Sequence, residues 1–400
     1  MGKYKVFFFL AFLLIFRFLF FRLDSGFSKG DKIKITTVLS SEPESFGNSQ
    51  LLKAGRFKIL TSRYPQYNFG QKLTIKGEIK EADKAGFFLS YPQIEAVNEK
   101  RGHNLAVRLR QELREVFNFV FPKPFDGIVS GIVLGDKQLI SSSFYEKLKQ
   151  TGTLHIMVAS GMNIAMVSES VLSFLTLFFK RKMAIIFLFI LIWFYSIMTG
   201  FNSPIVRAAV MATLVYFGQI LGRKTGSGRI LVLTGGVMLL NEPLLLWDVG
   251  FQLSFLATAG LVFIQPKLTN TGLFIFKSSN FSSTVAAQIM TLPVLLSNFG
   301  QFNLISPFIN LLVLWPIPFI LEAGFIIGLA GLLWTNLAIV PSYLVFPLLL
   351  YIEQVIEQTA RIKFFQVQFP VFQPWVWVGY YIILFALLFR LRKKQAMLLS

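Results

Sequence analysis

TGTLHIMVASGMNIAMVSES (151–170) opens a long apolar run, 154–179, and places His155, Ser160, Asn163, Ser168 and Glu169 inside it. On a continuous helix, at about 100° per residue, His155 and Glu169 fall about 40° apart, and Ser160 and Asn163 fall about 60° apart on an adjoining face. That is the pattern of one wall of an aqueous cavity. Gly161, directly after Ser160, is also a helix breaker, and a break there dissolves this wheel.

Apolar runs of similar length recur downstream at 183–200, 204–221, 230–246, 249–265, 283–299, 302–334, 338–358 and 374–391. Of the 400 residues 54% are hydrophobic and 15% charged, which is too apolar for one water-soluble core. Together with the run VFFFLAFLLIFRFLFF (6–21), read as an uncleaved anchor with a signal-peptide core as its rival, they predict about ten crossings. Pro307, Pro316 and Pro318 predict that 302–334 is broken or re-entrant. Cationic clusters at Lys3/Lys5, Lys180–Lys182, Arg223/Lys224/Arg229, Lys267/Lys277 and Arg390–Lys394 fall on one side if 302–334 makes one net crossing. By the positive-inside rule that side is the cytoplasm, with both termini on it.

The same alternation puts residues 24–150 outside. Within them, KIKITTVLS (32–40), RFKILTS (56–62), KLTIKGEIK (72–80), FFLSYP (87–92) and IEAV (94–97) alternate apolar and polar residues between Gly, Pro and Asp breaks. This predicts a small antiparallel β structure, either a five-stranded barrel of the oligonucleotide-binding (OB) type or a β-sandwich. Its cations interleave with Phe57, Tyr64, Tyr67, Phe69, Phe87, Phe88 and Tyr91, which can form a stacking and phosphate-binding face or be ordinary core beneath a solvated surface. LAVRLRQELREVFNFVF (105–121) reads as an amphipathic helix at the membrane surface, stopped by Pro122 and Pro124. The division is therefore an anchor at 1–23, an extracytoplasmic β domain at 24–100, a linker helix at 101–125 and a transmembrane domain at 126–400.

The formal charge is +19, so anionic partners are expected: lipid headgroups, nucleic acid, or both. With no cysteine and two histidines, thiol chemistry and zinc clusters are excluded, and no metal or other cofactor is expected. Arg207 follows Asn202, Ser203 and Pro204 just inside an apolar run, where it either faces a passing phosphate or snorkels to headgroups. Asp248 is its candidate partner, and Gln252 and Ser254 carry polar character into the next run, as interhelical hydrogen bonds also would. His155 and Ser160 lie about 140° apart on one helix and cannot pair there for serine hydrolysis. GRKTGSGR (222–229) lacks the Gly-Lys-Ser/Thr ending of a phosphate loop. The sequence shows no nuclease or ATPase motif, and no enzyme is expected.

In GIVLGDKQLISSSFYEKLKQTGTLHIMVASGMNIAMV (131–167), a Leu-Gly-Asp turn precedes a Thr-Gly, His and Ser-Gly segment. NSPIVRAAVMATLVYFGQILGR (202–223) and NEPLLLWDVGFQLSFLATAGL (241–261) follow in order. These blocks resemble the ComEC family of DNA-internalisation proteins, and 31–97 is similar to the OB-like module that precedes the competence domain there. The resemblance implies a membrane channel, in the bacterial inner membrane, that passes one DNA strand inward. Energy and capture would come from a separate motor and receptor, and homo-oligomers are possible partners. It points to His155, Ser160, Asn163, Glu169, Arg207, Asp248, Gln252 and Ser254 as lining, with Gly135, Asp136, Gly152, Gly161, Gly250 and Phe251 as structural motif residues. Asn163 stands where the family often has a second histidine, which leaves any titrating role there in doubt. The sequence closes at Ser400 without the metallo-β-lactamase-like domain of many members, so a separate nuclease is expected. The rival readings are a small-solute or lipid-linked polymer transporter, an intramembrane hydrolase, and a structural membrane subunit.

Overall fold

Alternating burial builds the first unit. The computed structural model describes residues 27–387 except 40–42, 47–48, 66, 68–69, 84–85, 97–104, 137–138, 158–159, 202, 223–225, 271–272, 304, 363–365, 369–375 and 385. The anchor at 1–23 and the Arg390–Lys394 cluster lie outside the described residues. Strands β1 (Lys32–Val38), β2 (Glu44–Phe46), β3 (Ser49–Ala54), β4 (Phe57–Ser62), β5 (Lys72–Asp83), β6 (Gly86–Ser90) and β7 (Gln93–Ala96) form one sheet. Its order is β1-β5-β6-β4-β3-β2, with β7 also on β5. All pairings are antiparallel except β4 with β6, which is parallel. Inward side chains such as Leu52, Ile59, Leu73, Ile75, Ile79 and Leu89 are fully buried. The result is an open half-barrel, in keeping with an OB-like module.

Strand β3 has no clear signal in the sequence because an inward position holds Gln50. Its side chain is 1% exposed. The amide Nε2 donates to the carbonyls of Ser62 and Pro65 at 2.8 and 2.7 Å, so a polar residue satisfies β4 from within the core.

The remainder is helical: α1 (Leu105–Val120), α2 (Phe125–Leu134), α3 (Ser142–Thr151), α4 (Leu154–Met157), α5 (Gly161–Phe178), α6 (Arg181–Met198), α7 (Ser203–Ile220), α8 (Ser227–Asn241), α9 (Val249–Phe263), α10 (Gln265–Thr269), α11 (Ser279–Phe299), α12 (Ser306–Leu314), α13 (Ile317–Leu333) and α14 (Ile339–Ala360). A last helix, α15, starts at residue 376. Among the described residues four helices are long and apolar enough to cross a membrane, or five if α12 and α13 count as one span. That is fewer than the ten crossings the apolar runs predict. Two of the runs fold into helices below spanning length, Pro204–Ile220 and Ser227–Asn241; Phe125–Leu134, outside those runs, is a third short apolar helix. The run at 302–334 is broken as its prolines predict, with a 43° bend between α12 and α13.

Two hydrophobic clusters organise these helices. The larger joins α1 to α7 with α12, α13 and α14. The smaller, around Ile264, Ala286 and Met290, joins α9, α10, α11 and α15. Helix α1 does not lie apart as a surface linker, because Leu113, Val116 and Phe117 are buried in the larger cluster. Along α13, glycines 324, 328 and 331 meet Val133, Leu113 and Val116, so α1 and α2 approach its backbone directly. A Cβ built at Gly331 would collide with the Val116 side chain.

Candidate functional site

Three chain segments meet at Arg207. Ser160 has an extended backbone and caps α5, its Oγ accepting from the Met162 amide at 3.3 Å. Helix α5 therefore begins at Gly161, and the continuous helical wheel of residues 155–169 does not form. The reason is local: an N-cap residue is non-helical, and Ser offers the first turn an acceptor. A Cβ built at Gly161 would lie 2.8 Å from Arg207 Nη2, so a larger residue here obliges the tip of the guanidinium to shift. Arg207, on α7, is 7% exposed. Its Nη1 donates to Ser254 Oγ on α9. Its Nε is buried and has no hydrogen-bond partner among the described residues.

Asp248 is not the partner of Arg207. Its Oδ1 caps α9 by accepting from the Phe251 amide at 2.7 Å. Gln252 Nε2 donates to the Leu246 carbonyl at 2.7 Å, which fastens the same turn. A carboxylate three residues before a free amide at a helix start is drawn to that amide, and Arg207 bonds Ser254 instead. Phe251 is buried and stacks on Phe255, with ring centroids 5.4 Å apart. Gly250 lies beside the Asp248 carboxylate.

The other predicted residues divide between separate places. Asn163 is fully buried, its Oδ1 accepting from Ser160 Oγ at 3.3 Å and its Nδ2 donating to the Ile132 carbonyl at 2.7 Å. It holds α5 to α2, a structural bond that a titrating histidine would change. His155 and Glu169 are exposed on the outer faces of α4 and α5 and are not brought to Arg207. Gly135 and Gly152 take left-handed conformations, φ 69° and 74°, as the C-caps of α2 and α3. Asp136, fully buried, pairs with Arg114 Nη2 at 2.6 Å.

That ion pair belongs to a buried polar group that sequence reasoning missed. Arg110 on α1 is 4% exposed. Tyr195 on α6 donates to the Val133 carbonyl at 3.0 Å. The available signal was the spacing of Arg110 and Arg114, one helical turn apart, with a Leu-Gly-Asp turn downstream. In the amphipathic reading these arginines face water; in the structure they turn inward because Asp136 needs a counter-charge.

The half-barrel divides the seven aromatics. Tyr67 and Phe87 are core, with Phe57 packed against them, Phe88 is half-buried, and Tyr64 and Tyr91 are 70% and 59% exposed. Burial pushes the Tyr67 phenol above its ordinary pKa. Phe69 lies outside the described residues. Two like-charge pairs sit directly opposite across strands: Lys53 with Lys58, and Lys34 with Lys76. Glu95 lies beside the second, bonded to Lys76 at 2.8 Å, and that hydrogen bond and charge hold its carboxyl below the ordinary range.

Comparison with known proteins places the chain. The family model described as "Competence protein" matches residues 132–394, more than half of the chain. ComE operon protein 3 of Bacillus subtilis is 27% identical over 225 residues, which cover 55% of this chain and 28% of that protein. Recombination protein 2 of Haemophilus influenzae is 23% identical over 295 residues, covering 72% of this chain and 33% of that protein. The chain thus spans about a third or less of the length of the curated relatives it matches. No solved structure matches it. Because the family match begins in α2, runs through α15 and contains the Gly161, Arg207 and Ser254 junction, the chain belongs to the competence protein family.

Proposed function

We propose that this protein is a channel by which a single DNA strand enters a bacterium through the cytoplasmic membrane during natural transformation. The observation that carries the reading is Arg207. A buried guanidinium at the junction of the two helix clusters, with one neutral partner and an Nε to spare, is a cation still able to take a phosphate oxygen. The short and broken helices around it are what a path through the bundle requires, since irregular backbone survives in a membrane beside protein or water.

The half-barrel captures the strand on the outer side. Segment 24–125 carries 17 Lys+Arg against 11 Asp+Glu. Lys53/Lys58 and Lys34/Lys76 set cations side by side on neighbouring strands, a spacing over which a phosphate backbone can lie. Tyr64 and Tyr91 supply exposed rings for bases. A separate receptor, nuclease and cytoplasmic motor complete the process, and the full domain includes further crossings beyond the four or five described.

The test uses the full chain in detergent micelles and in cells. Affinity for single-stranded DNA should fall steeply between low and moderate salt, and Arg207→Ala should abolish uptake at normal membrane levels. Salt-independent binding removes the capture step, and normal uptake in R207A removes the path. The bent pair α12 and α13 equally suits a small-solute or lipid-linked polymer transporter, the reading to adopt if the half-barrel prefers glycans or headgroups to DNA.

A further inference from the structure

Asp126, at the start of α2, is used by none of the contacts above. It is fully buried, and no side chain bonds either carboxyl oxygen; only the amides of its own turn, those of Asp126 and Gly127, act on it. One turn further on the same helical face is Ser130, also fully buried, with its Oγ equally unpartnered.

The charged groups on every element packed against α2 are engaged elsewhere or exposed. Helix α1 brings Arg110, whose charge acts on Tyr195, and Arg114, which pairs with Asp136 at the far end of α2. Helix α4 brings His155, which is exposed. Helix α13 brings Glu322, bound by Ser170 at 2.6 Å. Helix α14 brings Glu353, half-buried in the fields of Glu357 and Lys147, and Glu357 paired with Lys147. Lys123, one turn before Asp126, is the cation whose field reaches it, and it is exposed.

An ionised carboxylate sealed in with no paired cation, and with only the amides of its own turn and the field of an exposed lysine to offset the lost hydration, is costly to hold, and such groups neutralise instead. A metal cation would need further oxygen or nitrogen ligands. No group of three or more metal-ligating side chains occurs among the described residues, and one hydroxyl does not complete a shell.

We propose that Asp126 is a proton-binding site of the helical domain. The carboxyl is neutral while α2 is packed as described, and when water reaches the start of α2 the O–H bond breaks and the proton passes to that water. The packing of α2 on α1, α4, α13 and α14 and the charge on Asp126 are then two faces of one equilibrium.

The test is infrared spectroscopy of the purified full chain in lipid nanodiscs at neutral pH, in light and heavy water. A protonated-carboxyl C=O stretch should be present, vanish in Asp126→Asn, shift in Asp126→Glu, and persist when choline chloride is exchanged for sodium chloride. No such band, or a band untouched by both substitutions, overturns the proposal, as does loss of the band on adding sodium, which would make the ligand a metal cation. If D126N fails to assemble, D126E still decides, because it keeps the acid and must move the band. DNA takes no part in this measurement, so its outcome is separate from that of the uptake reading.

Discussion

Asp136→Ala would leave the Arg114 guanidinium without its partner at a side chain 19% exposed. Removing one member of a buried pair costs about 3–5 kcal/mol, and the partial exposure of Arg114 puts this case at the lower end. The expected result is a clear drop in the thermal unfolding midpoint in detergent, followed by tryptophan fluorescence; an unchanged midpoint would refute the pair. Glu95 gives the pH counterpart. Its folded pKa is depressed by Lys76, so its contribution is fully present above the unfolded value of about 4.3 and is lost as pH falls through the folded value. Protection of the β5–β7 amides from hydrogen exchange should therefore differ between wild type and Glu95→Gln at neutral pH and converge in acid. Residues of this kind were partly legible in the sequence. Arg207 and Ser254 could be named from polar atoms in apolar runs, but their pairing could not, because Asp248 was equally available until its capping of α9 was seen. Asp126 gave no signal, since burial of a carboxylate is decided by helices distant in sequence.

Helix α11 contains Pro293, which cannot donate to the carbonyl four residues earlier, that of Ile289. Tyr380 on α15 does so instead, its hydroxyl 2.8 Å from that oxygen, and Tyr381 bonds the Met290 carbonyl at 2.9 Å. Tyr380→Phe leaves a carbonyl unsatisfied among apolar neighbours, a loss of about 1–3 kcal/mol. The predicted consequence is faster limited proteolysis between α14 and α15 with α11 otherwise intact, and equal cleavage rates would refute it. Element types were readable where one signal dominated: β1, β4, β5, β6 and β7 by alternation, the break in 302–334 by its prolines. Helix lengths were not, because hydropathy records where apolar residues lie and not where Ser160, Asp248 or a glycine C-cap stops the backbone.

The whole chain contains no cysteine, so any introduced pair reports without background. A Cβ built at Gly161 falls 3.3 Å from the Ala208 Cβ, close to the separation of about 3.5–4.5 Å that a disulfide spans. Gly161→Cys with Ala208→Cys should cross-link within one chain under mild oxidation, read by intact mass after alkylation; an uncross-linked protein would show that α5 and α7 do not meet there. The glycines of α13 have a mechanical corollary. Side chains that merely touch can shear past one another, whereas methyl groups seated in backbone notches cannot slide without first lifting out. A pull on the half-barrel travels along the chain to α1, which is seated in this way at Gly328 and Gly331. Tension therefore arrives at a joint that cannot slip, and α1 and α13 must move as one body.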